Sequence, residues 1–320
     1  MPIYDSDNVP EKVGRDELDK ELADWLPRGP VLGADERIAD ARRSHRVLAE
    51  GPWPPIGSVE TLLVPGPHGS VPVRVHTPST GRGPYGALVY LHGGGWTVGT
   101  LDEFEIPMRI FAERAGIKTY AVDYQLAPEA KFPVQLDECG FVVSWLFAHA
   151  AEQNVDPERI ALGGDSAGGN MTCALTLKFR DEGGPRLALQ LPLYPETALP
   201  FDTDSGSQNR VGYYLETYGV LLFAWNYVPH HEDARQPLIS PLYASSHRGL
   251  PPAILVTNGF DPLRDVGHAY ARKLAHAGND LTYVHHTHLT HGFIQFTRHS
   301  KRCLEATHQL ADLLKEKIGG

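Results

Sequence analysis

Arg159-Ile160-Ala161-Leu162-Gly163-Gly164-Asp165-Ser166-Ala167-Gly168 decides the fold. An apolar run ends in a turn that carries one serine among glycines, and small residues suited to a helix start follow. A strand, a sharp turn and a helix in that order form a nucleophile elbow, in which glycines make room and the strained serine is held up where a base can reach it. A serine hydroxyl is a weak nucleophile at neutral pH. It needs a base to take its proton, an acid to orient that base, and donors for the oxyanion that forms.

In an open α/β sheet such groups belong in loops at the carboxyl ends of strands. The rest of the chain reads as such a sheet. Residues 59–64 and 71–76 are short β-type runs around a Gly/Pro turn, an antiparallel hairpin. Residues 87–91, 118–122, 159–163, 188–193, 253–257 and 281–286 read as further strands. Helical stretches at 104–115, 134–151, from 166, 263–277 and 300–317 lie between or after them. Strands alternating with helices imply a mostly parallel sheet wrapped on both faces.

Two segments stand outside that alternation. Residues 11–27 and 34–50 have apolar residues three and four apart (Leu18, Leu22, Trp25, Leu26; Ile38, Ala41, His45, Leu48) and read as a helical appendage, 1–50. A Pro-rich stretch, Gly51 to Pro55, parts it from a main domain over 51–320. An aromatic-rich insertion at about 199–235 interrupts that domain.

Three strand ends carry candidate chemistry. After 87–91 comes His92-Gly93-Gly94-Gly95-Trp96, where consecutive glycines let backbone amides turn toward one point. Gly93 and Gly94 are read as oxyanion donors with Ala167, and His92 as structural. After 253–257 comes Asp261, followed by Pro262. Asp261 is preferred as the acid over Asp265, which sits one helical turn later, where it complements the helix dipole. After the last strand comes His291, read as the base. The catalytic set is Ser166, Asp261 and His291, in that chain order. Trp96, Phe201, Tyr213, Tyr214 and Leu215 are candidate pocket walls. His285, His286 and His288 cluster before His291, and on a strand His286 and His288 would share a face. No cysteine or carboxylate lies close by in sequence, so no metal site is assigned.

Composition narrows the function classes. A chain of 320 residues is long enough for one large α/β domain with an appendage, or for two domains. Its net charge of −10 argues against a nucleic-acid partner and against an anionic membrane surface. Cys139, Cys173 and Cys303 fit no zinc spacing and read as inert thiols in a reducing compartment. The acidic N-terminus lacks a signal-peptide pattern and no apolar run approaches a membrane span, so a cytoplasmic location is expected.

These motifs resemble the hormone-sensitive-lipase-like carboxylesterases of the α/β-hydrolase superfamily. Besides the glycine loop and the elbow (through Gly169-Asn170), the shared residues are Asp123-Tyr124-Gln125-Leu126-Ala127-Pro128-Glu129 with Phe132-Pro133, Ser240-Pro241-Leu242, Leu250-Pro251-Pro252-Ala253, Asp261-Pro262-Leu263-Arg264-Asp265 and His291-Gly292-Phe293. They run in order from about 85 to 295, and Asp165 places the chain in the Gly-Asp-Ser-Ala-Gly branch. The resemblance implies an eight-stranded, mostly parallel sheet whose second strand is antiparallel. It also implies a helical cap made of 1–50 and the insertion, no cofactor, and a small-molecule ester substrate with a short or medium acyl chain. A homodimer through the last strand and its neighbouring helices is a further implication. Gln125 stands where the family usually has arginine, which removes an expected ion pair, and His288 stands near a usual glycine. The rivals are a non-catalytic receptor on the same fold, whose plant relatives lack the catalytic histidine, a serine amidase or peptidase, and a true lipase.

Overall fold

The computed structural model describes residues 2–33, 37–199 and 202–319. Their strands form one sheet. In chain order they are β1 Ile3–Tyr4, β2 Ser58–Gly66, β3 Gly69–Thr77, β4 Tyr85–Leu91, β5 Lys118–Val122, β6 Val155–Asp165, β7 Leu189–Leu193, β8 Ala253–Phe260 and β9 Leu281–Thr290. Across the sheet the order is β1-β9-β8-β7-β6-β4-β5-β3-β2. From β5 to β9 every neighbouring pair is parallel, while β3 meets both β2 and β5 antiparallel. Every residue of β4, β5, β7 and β8 is buried. That is why β4 reads as a continuous apolar run and the other three as mostly apolar ones, since helices cover both faces of a parallel sheet. The hairpin edge strand β2 is mostly exposed, with Leu63 facing solvent.

The helices are α1 Lys20–Trp25, α2 Ile38–His45, α3 Glu105–Ala115, α4 Val134–Ala148, α5 Ala167–Glu182, α6 Asp204–Gln208, α7 Thr217–Tyr227, α8 Arg264–His276 and α9 Lys301–Ile318. Two of them end as their sequences direct: α3 at Gly116 and α5 at Gly183, both in the left-handed conformation that glycine adopts without a Cβ penalty. α9 packs along α3, tied by the bidentate pair of Arg114 with Asp312. Cys139, Cys173 and Cys303 are buried free thiols.

Two expectations are corrected. The sheet among the described residues has a ninth strand, β1, which pairs antiparallel with β9 (Ile3 opposite Val284, Tyr4 opposite Tyr283). Two residues are too few to register as a strand pattern. The helix expected over 11–27 is reduced to α1 and a short 3-10 turn, Leu26–Arg28. Residues 14–19 instead run along β9, where the Asp16 and Asp19 amides donate to Thr287 O (3.1 Å) and His288 O (3.0 Å). Asp19 then caps α1 by accepting from the Leu22 amide at 3.1 Å. The second expected helix begins at α2, and residues 34–36 lie outside the described residues.

The N-terminal segment and the insertion meet. Leu32 N–H donates to Tyr214 O at 2.8 Å, and Glu216 N–H donates to Leu32 O at 3.1 Å. Gly33 and Gly219 approach so closely there that a Cβ on either would collide with the other's Cα.

Candidate active site

β6 delivers Ser166 directly into α5 through a turn at φ +54° and ψ −118°, a region non-glycine residues rarely occupy. The glycines around it have a steric cause. A Cβ on Gly164 or Gly168 would run into the Leu91 carbonyl oxygen at the end of β4. The turn is closed by Ser166 N–H donating to Leu193 O (2.9 Å), while Ser166 O accepts from Asn170 N–H (2.8 Å).

Ser166, His291 and Asp261 come together although they are far apart in sequence. His291 Nε2 lies 2.8 Å from Ser166 Oγ, and His291 Nδ1 lies 2.8 Å from Asp261 Oδ2. All three are buried. Asp261 Oδ1 accepts from the Leu263 amide at 2.8 Å, which fixes the carboxylate. With Asp261 accepting from Nδ1–H, the Nε2 lone pair faces the serine hydroxyl, the tautomer a general base requires. Asp265 is occupied elsewhere. It accepts from the Ser205 amide at the start of α6 (2.8 Å) and pairs with Arg264 (2.8 Å).

One oxyanion donor is corrected. Gly93 N–H donates to Asp165 Oδ1 at 2.8 Å and is not free for a substrate. The amides of Gly94, Gly95 and Ala167 have no acceptor among the described residues. Gly94 and Gly95 hold positive φ, which turns the loop after Gly93. Asp165 also accepts from Tyr90 Oη at 2.9 Å. Burial pushes its carboxyl up to about 6, against those hydrogen bonds. His92 has the structural role expected of it. It stacks on Tyr124 (4.3 Å) and its Nδ1 lies 2.8 Å from Gly93 O. Burial lowers its pKa.

Two narrow cavities meet at Ser166. Trp96 and Leu215 line one, together with Val220, Phe223 and Leu263. Tyr214 lines the other. Tyr213 lines neither; it packs on Phe260 (5.1 Å) beneath Arg15. Phe201 lies outside the described residues. Reading the sequence alone misses His45, Glu103, Glu196 and Gln295 as lining residues, because none stands in a motif at a strand end.

The histidine cluster is also rearranged. A bulge in the pairing of β8 with β9 falls between Asn258 and Phe260 and breaks the alternation. His285 and His288, not His286 and His288, therefore face the same segment. His285 Nε2 lies 2.7 Å from Gly14 O, and His288 Nδ1 lies 2.7 Å from Glu17 O. His286 packs edge-on against Phe293. At the arginine-to-glutamine departure, Gln125 donates to buried Glu138 twice, from its amide N–H (2.9 Å) and its Nε2 (2.7 Å).

Comparison with known proteins agrees with this geometry. A family model described as alpha/beta hydrolase fold matches residues 88–295. The chain is 36% identical over 316 residues to the carboxylic ester hydrolase LipN of Mycobacterium tuberculosis, covering 94% of this chain and 83% of that one. It is 33% identical to an arylesterase of Saccharolobus solfataricus, covering 86% of this chain and 89% of the other. The fold superposes on a thermostable esterase from Pseudomonas putida with a TM-score of 0.90 at 30% identity, covering 96% of this chain and 100% of that one. The chain belongs to the hormone-sensitive-lipase-like carboxylesterase family of the α/β-hydrolase superfamily.

Proposed function

We propose that this chain is a serine esterase that hydrolyses small-molecule esters of short and medium acyl chains through an acyl-enzyme. The observation that carries the reading is the relay Ser166–His291–Asp261, joined by two contacts of 2.8 Å where two cavities meet. His291 Nε2 takes the Ser166 proton as Oγ attacks the ester carbonyl. The oxyanion sits against the amides of Gly94, Gly95 and Ala167. His291 then protonates the departing alcohol, and water releases the acid by the reverse sequence. No step in this reading calls on a cofactor or a metal. The N-terminal segment and the insertion, joined at Leu32 and Tyr214, serve as a cap that keeps bulk water from the acyl-enzyme.

No helix among the described residues is long and apolar enough to cross a membrane. We place the enzyme in the cytoplasm on the strength of its three buried, unpaired cysteines. The test is release of p-nitrophenol from acetyl, butyryl, octanoyl and palmitoyl esters. Turnover is expected on the shorter esters and a loss of several orders of magnitude in Ser166→Ala, about the loss when a triad member is removed elsewhere. A Ser166→Ala protein as active as wild type would overturn the assignment.

A further inference from the structure

The two cavities at Ser166 differ in chemistry. One is walled by hydrocarbon from Trp96, Leu215, Val220, Phe223 and Leu263, with the Glu196 carboxyl as its exception. The other is walled in part by His45, Glu103, Tyr214 and Gln295.

His45 is 1% exposed. Its Nδ1 lies 2.8 Å from the Ala41 carbonyl oxygen, so Nδ1 carries the proton and donates. Nε2 is then a lone pair, buried and without a hydrogen-bond partner among the described residues. Burial also lowers the pKa of this imidazole, which keeps it neutral and accepting. The nearby Tyr214 hydroxyl does not fill the gap, because it donates to Gln295 Oε1 (3.4 Å). Glu103 brings a buried carboxyl to the same cavity from the 3-10 turn Leu101–Phe104. It accepts from the Thr100 hydroxyl at 3.1 Å and forms no ion pair among the described residues. One buried acceptor without a donor, His45 Nε2, therefore lines the cavity that holds the nucleophile, and the Glu103 carboxyl, which burial raises to about 7, adds a second acceptor once it ionises. A site that leaves buried polar groups unpaired discriminates against ligands that cannot pair them.

We infer that this cavity is a recognition subsite for a hydrogen-bond donor, a hydroxyl or a protonated amine, carried on one side of the ester, with His45 Nε2 and the Glu103 carboxyl as its acceptors. The inference rests on the esterase reading above and adds a substrate class to it. The favoured ester is amphipathic, with hydrocarbon in the Trp96 cavity and a donor group in the His45 cavity.

The test compares kcat/KM across matched esters. On the alcohol side these are propyl acetate, 3-hydroxypropyl acetate and 3-(dimethylamino)propyl acetate. On the acyl side they are ethyl butyrate, ethyl 3-hydroxybutyrate and ethyl 4-(dimethylamino)butyrate. On one side, the hydroxylated or the aminated ester should exceed its alkyl partner by about tenfold or more. The hydroxyl and amine members tell the two donors apart. That ratio should fall toward one in His45→Phe and in Glu103→Leu, while Glu103→Gln, which keeps an acceptor oxygen, should retain part of any hydroxyl preference. A ratio is read within each protein, so a loss of folded material does not imitate the result. Equal turnover of polar and alkyl esters in wild type, or a preference that survives both substitutions, overturns the subsite and leaves the esterase reading standing. Absence of Ser166-dependent turnover of any of these esters overturns both.

Discussion

Asp165 shows how a residue beside the nucleophile can govern catalysis without touching substrate. Its carboxyl accepts from Gly93 N–H at 2.8 Å and from Tyr90 Oη at 2.9 Å, so it ties the glycine loop to the elbow. The free amides of Gly94 and Gly95 follow directly from the one Asp165 holds. Removing one oxyanion donor in other hydrolases costs about 2.7–4 kcal/mol, and a loop out of place should cost part of that. Asp165→Ala should lower kcat on p-nitrophenyl butyrate by roughly 10- to 100-fold with little change in KM. Asp165→Asn keeps an acceptor for Gly93 and should recover most of the loss. A kcat unchanged in the alanine variant would mean the loop holds itself. At this scale the meeting of Ser166, Asp261 and His291 is legible because each follows a strand end marked by glycine or proline. The donor set was legible only in part, since spacing shows that three glycines can present amides but not which amide the fold uses internally. His45 and Glu103 were not legible at all. Their place in the cavity comes from the packing of the N-terminal segment on the loop after β4, which no local pattern encodes.

Elements buried on both faces are legible in the sequence with little error, because β4 is an unbroken apolar run and β5, β7 and β8 are mostly apolar with few polar residues among them. The N-terminal segment differs from the helix its spacing predicts because Leu18 and Leu22 keep helical spacing while backbone groups of Gly14, Asp16, Glu17 and Asp19 bond to β9 instead. The resemblance implies a dimer through the last strand, yet the chain's own residues cover that edge. β1 pairs at Tyr283 and Val284, Ser6 Oγ accepts from the Leu281 amide (3.0 Å), and His285 and His288 hold Gly14 and Glu17. An uncovered edge strand presents unpaired amides and carbonyls to other chains. Deleting residues 2–8 should therefore raise self-association, read as a concentration-dependent shift in sedimentation, while the full chain should not pair through β9. A full chain whose dimer is lost on that deletion would show the reverse, that β1 builds the contact.

Stability of the whole molecule should follow opposing sets of buried groups as pH changes. Burial holds His285 down at about 4 and His286 at about 3, and lowers His45 and His92 as well. An unfolded imidazole titrates at about 6.5. Below that pH the unfolded chain binds protons the folded one refuses, so these groups make stability fall as the pH drops. Buried acids act in the other direction. Burial lifts Glu103 to about 7 and Glu196 to about 8, and Glu196 Oε2 has no hydrogen-bond partner among the described residues. From about pH 4.3, where an unfolded glutamate ionises, up to those values the folded chain keeps protons the unfolded one has lost. Through that window stability declines as pH rises. Above about pH 6.5 the histidine gain has ended while both glutamates still oppose folding, so the thermal midpoint should peak near pH 6.5. Glu196→Gln removes the largest alkaline contribution and keeps the shape of the side chain. Its midpoint should approach wild type as the pH falls to about 4 and exceed it at pH 8.5 by about 2 °C or more, the shift that about 1 kcal/mol makes in a large domain. Parallel curves for the two proteins across that range, measured by differential scanning calorimetry, would show that Glu196 titrates alike in the folded and unfolded chains and that the alkaline limb has another origin.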